Sequence, residues 1–106
     1  MFCSVRQYRA DPVHMDELMH RIDDEFCELI EREPGFVAYQ ALDCGDGVCM
    51  TITTFRDRKG AEESITTAAG FVRDRLSDIE IDRLDAVMGE AKVSRAIADM
   101  LEPAHA

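Results

Sequence analysis

Residues 36–55 constrain the fold more than any other stretch of this chain. Two runs rich in β-formers, Phe36-Val-Ala-Tyr-Gln-Ala-Leu-Asp43 and Val48-Cys-Met-Thr-Ile-Thr-Thr-Phe55, flank Cys44-Gly-Asp-Gly47. Asp-Gly between two such runs is a strong signal for a type I′ hairpin, because both turn positions need a positive φ. With Asp46 and Gly47 as the turn, Cys44 is expected opposite Cys49. One face then carries Val37, Tyr39, Ala41, Met50, Ile52 and Thr54, and the other Phe36, Ala38, Leu42, Thr51 and Phe55. Neither face is polar, so both need cover. Two helices can cover one face of so small a sheet. A second copy of the chain is the expected cover of the other, which predicts a homodimer through the sheet.

The flanking segments supply the helices and outer strands. Residues 2–9 read as a strand. Asp11-Pro12 opens a helix, since Asp caps well and Pro suits the first helical position. Pro34-Gly35 stops that helix after about Arg32. Its apolar stripe is Met15, Leu18, Met19, Ile22, Phe26, Leu29 and Ile30, at the helical period. Glu31 and Glu33 sit near its C-terminal end, where the helix dipole disfavours anions. A second helix is expected over 58–76, capped by Asp57. Its inward stripe is Ala61, Ile65, Ala68, Val72 and Leu76, with Ser64 and Phe71 on one flank. So many small residues imply either very close packing or a cavity. Residues 77–85 read as irregular, Ala86–Val93 as a last strand, and Ile97, Met100 and Leu101 as a short terminal helix. The order β-α-β-β-α-β predicts an α+β, ferredoxin-like domain over 1–96, with a C-terminal tail over 97–106. Its sheet has four antiparallel strands and both helices on one face.

Composition sets the outer limits. A chain of 106 residues with 46% hydrophobic residues can fill one core. Its net charge of −10 disfavours nucleic acid and anionic lipid, whose phosphates need clustered Lys and Arg. No apolar run approaches the roughly 18–20 residues of a membrane-spanning helix. The start, Met1-Phe-Cys-Ser-Val-Arg6, lacks a basic segment followed by an apolar one, so no signal peptide is expected. The four cysteines form no C-x-x-C pair. A cytoplasmic protein with free thiols is expected, the alternative for Cys44 and Cys49 being a cross-strand disulfide.

Two stretches carry a family resemblance. Arg6-Gln-Tyr-Arg-Ala-Asp-Pro-Val13 and Pro34-Gly-Phe-Val-Ala-Tyr39 resemble the antibiotic biosynthesis monooxygenase-like proteins. Phe55 with its charged helix start and Gly89-Glu-Ala-Lys-Val93 resemble them too. The resemblance spans roughly 2–95. It implies a dimeric α+β barrel, two ferredoxin-like subunits joined through their sheets. It also implies membership of a group that includes cofactor-independent monooxygenases of polyketide anthrones, quinol oxygenases and haem-degrading enzymes. The haem-degrading branch relies on Asn, Trp and His together, and this chain has neither Trp nor Asn. Haem degradation is therefore disfavoured. The anthrone-oxygenating branch also leans on Asn and Trp beside Tyr and Arg, and only the last two exist here.

Candidate site residues follow from chemistry and position. Tyr39 offers a hydroxyl to a phenolic or enolic oxygen, or is an aromatic core residue. Arg6 offers a charge to a developing enolate or superoxide, or pairs with a nearby acid. His14 opens the first helix and is the candidate base, or a solvated first-turn residue. Tyr8 beside Arg6, Thr54 on the expected Tyr39 face, and Phe71 are candidate ligand contacts. His20 with Asp16, Glu17 and Asp24 has metal-like spacing, but on the face opposite the apolar stripe, so no metal is expected. The reading is a small oxygenase without metal or organic cofactor, acting on an aromatic or quinone-type molecule. The alternative is a non-catalytic ligand-binding or accessory dimer.

Overall fold

A computed structural model describes residues 1–96. The expected tail over 97–106, with its helix at Ile97, Met100 and Leu101, lies outside the described residues. Four strands form one antiparallel sheet: β1 (Phe2–Ala10), β2 (Phe36–Gly45), β3 (Val48–Phe55) and β4 (Ile81–Glu90), in the order β2-β3-β1-β4. The first helical stretch is compound. A 3-10 turn (Pro12–His14) leads into α1 (Met15–Arg21), a π-helical turn (Ile22–Phe26) and α2 (Cys27–Glu31). The second is the regular helix α3 (Arg58–Arg75). This is the α+β, ferredoxin-like arrangement.

Local chemistry explains the ends. The Asp11 side chain accepts from the Val13 amide, with Pro12 beside it, so the first turn starts where Asp-Pro predicts. Asp57 caps α3 by accepting from the Gly60 amide at 2.8 Å. Asp46 and Gly47 have φ of 55° and 79°, as a type I′ turn requires.

The hairpin register differs from the expected one, and the difference matters. Gly45 pairs with Val48, but Asp43 then pairs with Cys49, leaving Cys44 in a bulge. Cys44 is therefore not opposite Cys49. One extra residue flips every side chain beyond it to the other face. Tyr39 pairs with Thr53 and Ala41 with Thr51, on the helix-covered face. Thr54 pairs with Ala38 on the open face, apart from Tyr39. A second bulge at Val37 restores Phe36 to the Phe55 side. The last strand is also longer at its start than expected, running from Ile81 rather than Ala86. It is an edge strand whose Asp82, Arg83, Leu84 and Asp85 are exposed, so it lacks the apolar pattern of a buried strand.

The core lies between the helices and one sheet face. Leu18 and Ile30 from the first helical stretch meet Phe55 from β3 and Ala61 and Phe71 from α3. Burying a Leu, Ile or Phe fully contributes roughly 1.5–3 kcal/mol. Gly60 lets α3 approach, because a Cβ there would sit 2.7 Å from the Phe55 ring. The stripe of α3 is centred on Ala61, Ser64 and Phe71, and Ile65 stands outside it, exposed. The π-helical turn also shifts the phase of the first helix, and Leu29 is exposed rather than packed. The opposite sheet face has no cover among the described residues. It presents Val5, Met50 and Ile52 half-buried, with Leu42 and Val87 exposed.

Candidate functional site

The small residues of α3 leave a cavity of about 50 Å³ between the helices and the sheet. Ser64 and Ala68 form one wall, and Thr51 and Thr53 form the floor. Phe26, carried inward by the π-helical turn, closes a side with Phe71 and Tyr39. The Phe26 ring stands edge-on to Tyr39 at 5.2 Å and tilted against Phe71 at 5.2 Å. Such π-turns recur at functional sites, because the wider turn re-aims side chains.

Arg6 enters this cavity from β1. It is only 7% exposed. Among the described residues no carboxylate lies within ion-pair distance of it and no acceptor receives its hydrogen bonds. The nearby acid weighed from the sequence is not there. Arg21, Arg58, Arg73 and Arg75, at the surface, each have one. A charge out of water without a counter-charge costs several kcal/mol.

Tyr39 reaches the same cavity, and its hydroxyl has no hydrogen-bond partner among the described residues. Burial pushes its acidity constant far up, so the phenol stays neutral and available as a donor. The Arg6 charge opposes that shift only weakly. Cys49 lines the cavity as well, and burial pushes its thiol up to about 11. Cys27, nearby on α2, is likewise raised to about 11 by burial. Both thiols are neutral at physiological pH.

The candidate residues thus divide. Arg6, Tyr8, Tyr39 and Phe71 meet at the cavity. His14 does not line it, but stands exposed at the end of the 3-10 turn. Thr54 lies on the open face, 3.3 Å from Cys3 Sγ, beside an outer hollow of about 320 Å³ that Tyr39 also borders. His20 pairs with Asp24 at 2.9 Å, and Glu17 with Arg21 at 2.9 Å, largely in solvent. Among the described residues no three metal-ligating side chains converge. Four lining residues escaped the sequence reading of the site: Thr51, Thr53, Ser64 and Phe26. The threonines were legible only as polar residues at alternate positions of an otherwise apolar strand.

No family model matches the sequence, and none of the curated proteins does. Solved structures do. A protein of Deinococcus radiodurans, assigned as an antibiotic biosynthesis monooxygenase, superposes with a TM-score of 0.72 at 16% identity, over 92% of this chain and 98% of that one. The chain has the fold of the antibiotic biosynthesis monooxygenases. A monooxygenase from the ActVA-Orf6 gene of Streptomyces coelicolor, solved with nanaomycin D, gives 0.68 at 16% identity, over 92% of both chains. SnoaB of Streptomyces nogalater, a cofactor-independent oxygenase, gives 0.57 at 14% identity, over 88% of this chain and 94% of that one. At these identities the likeness is one of fold. In this antibiotic biosynthesis monooxygenase fold, the cavity sits where helices and sheet separate.

Proposed function

We propose that this chain is a small monooxygenase that needs no metal or organic cofactor and acts on an aromatic or quinone-type molecule. The observation that carries the reading is the cavity itself: a buried Arg6 without a counter-charge and a free Tyr39 hydroxyl, among the described residues, share one otherwise apolar space. Fold neighbours that are oxygenases, one of them solved with nanaomycin D, support it.

The chemistry asks little of the protein. A substrate methylene between aromatic rings loses a proton, and its charge spreads onto a conjugated oxygen. That enolate passes one electron to dioxygen, and the two radicals combine and take up a proton as a hydroperoxide. Loss of water leaves the ketone. One methylene and one dioxygen thus give one carbonyl and one water. Arg6 and Tyr39 hold the conjugated oxygen as charge develops there, with Tyr8 and Phe71 against the rings. The apolar walls keep water from the radical pair. The base role weighed for His14 draws no support from its exposed position.

A dimer completes this picture. The open face, with Val5, Met50, Ile52 and Leu42, is covered by a second copy in our reading, and the four free thiols fit a cytoplasmic setting. Oxygen-electrode traces with 1,8-dihydroxyanthrone test the activity. One dioxygen is consumed per anthrone, with quinone absorbance rising, and Arg6→Met loses roughly 10²–10³ in rate, the usual cost of removing one such donor. Uptake no faster than the spontaneous reaction sinks the proposal. One observation favours the second reading, a non-catalytic binding dimer. The cavity of about 50 Å³ is smaller than the roughly 150 Å³ in which an engineered protein cavity takes up benzene. Catalysis therefore requires the helices to part.

A further inference from the structure

We infer that the cavity is a receptor for an oxyanion: its ligand presents one ionised oxygen, a phenolate, enolate or carboxylate on an apolar body, to Arg6 and Tyr39. The inference rests on the proposed site and names the charge of what enters it.

Three observations converge. First, Arg6 is nine-tenths buried and opens onto the cavity with no acid or acceptor beside it among the described residues. A guanidinium cannot shed its proton to escape the cost of burial, as Lys can. The charge is therefore retained, and a ligand of opposite charge offsets the cost. Second, every other polar group on the wall is neutral. Tyr8, Tyr39, Thr51, Thr53 and Ser64 offer hydroxyls and Cys49 a thiol, and no carboxylate or imidazole of the described residues lines the space. The cavity carries one positive charge. Third, this stands inside a chain of net charge −10, whose surface repels anions. The attraction is local to the cavity, so it selects ligands with an apolar body able to enter.

The consequence for the proposed reaction is specific. No general base of the described residues lines the cavity, so the substrate ionises because Arg6 favours its anion. The proton leaves to solvent, and the electron pair stays on the substrate oxygen.

The test uses 4-nitrophenol, whose colour reports its ionisation, with 4-nitroanisole as neutral match and 4-nitrobenzoate as the carboxylate. Wild type binds the phenolate at least tenfold more tightly than the anisole, and the bound phenol ionises about one pH unit lower than the free one. Arg6→Met abolishes the preference while changing anisole binding less than twofold, and Arg6→Lys retains most of it. Thermal melts confirm that both variants fold. Binding of 4-nitrobenzoate in preference to the phenolate supports the oxyanion receptor and assigns a carboxylate as its source. Anisole bound as tightly as the phenolate, an unchanged preference in Arg6→Met, or no binding of any probe overturns the inference. Dioxygen uptake is read separately, so an anion receptor without turnover contradicts the oxygenase reading alone.

Discussion

Arg6 and Tyr39 are buried polar groups that the fold places together without giving either a partner among the described residues. Tyr39 also makes folding sensitive to alkali. Its phenol, like the Cys49 and Cys27 thiols, is a weaker acid in the folded chain than in the unfolded one. A raised acidity constant adds stability that is present below the unfolded value and lost as pH rises towards the folded one. The thiols span a window from 9.0 to about 11, and the tyrosine starts from 10.0. Thermal melts should therefore fall as pH passes about 9, and Tyr39→Phe should flatten the decline above about 10. Equal slopes for the two proteins would contradict the assignment. The cysteines themselves should react unequally. Cys44 is exposed, whereas Cys27 and Cys49 are held neutral by burial. Iodoacetamide at about pH 8 should mark Cys44 first, because the thiolate is the nucleophile. Mass spectrometry reads the order, and prior labelling of Cys49 would count against the described core.

At the scale of elements, close approaches hold the layers in register. A Cβ on Gly47 would lie 2.1 Å from the Ala10 carbonyl oxygen, on a backbone with φ of 79°. Gly47→Ala should cost about 1–3 kcal/mol in denaturant titration. A negligible cost would mean the turn sits elsewhere. Across the helix layer, Arg21 donates to both oxygens of Asp78 at 2.6 and 2.8 Å and to the Arg75 carbonyl at 3.3 Å. The guanidinium holds the Asp78 carboxyl down at about 2, against an ordinary 3.8. A lowered carboxyl contributes stability above its unfolded value and loses it as pH falls through the folded one. The melting temperature should drop between about pH 4 and 2, and less steeply in Asp78→Asn. The order of these elements was legible in the sequence, because Asp11-Pro12, Pro34-Gly35, Asp46-Gly47 and Asp57 mark their own boundaries. The faces of the hairpin were not. One residue, Cys44, drops out of the ladder, and a bulge leaves almost no local trace beyond the glycine next to it. That slip took Thr54 from the candidate site and put Thr51 and Thr53 into it. The start of β4 was hidden by its polarity as an edge strand.

The whole molecule has one sheet face covered and, among the described residues, one bare. Val87 is 58% exposed and Leu42 41% exposed on a face that also shows Met50 and Ile52. Contiguous apolar surface of this kind marks an interaction site in a folded protein. Analytical ultracentrifugation should find twice the chain mass of 11.9 kDa, and Ile52→Glu should return the chain to that mass while its helices persist. A wild-type monomer at high concentration would refute the dimer. The cavity lies on the other side of the same sheet, so dimerisation would brace its floor, and opening would fall to the helices. The π-helical turn at Ile22–Phe26 is the segment best placed to yield. The most direct test of the account is a crystal structure grown with 1,8-dihydroxyanthrone under anaerobic conditions. We predict ring density between the helices and the sheet, with one ligand oxygen within hydrogen-bond distance of both Arg6 and Tyr39. A cavity still closed at about 50 Å³, with the ligand absent or lodged on the sheet's outer face, would contradict it.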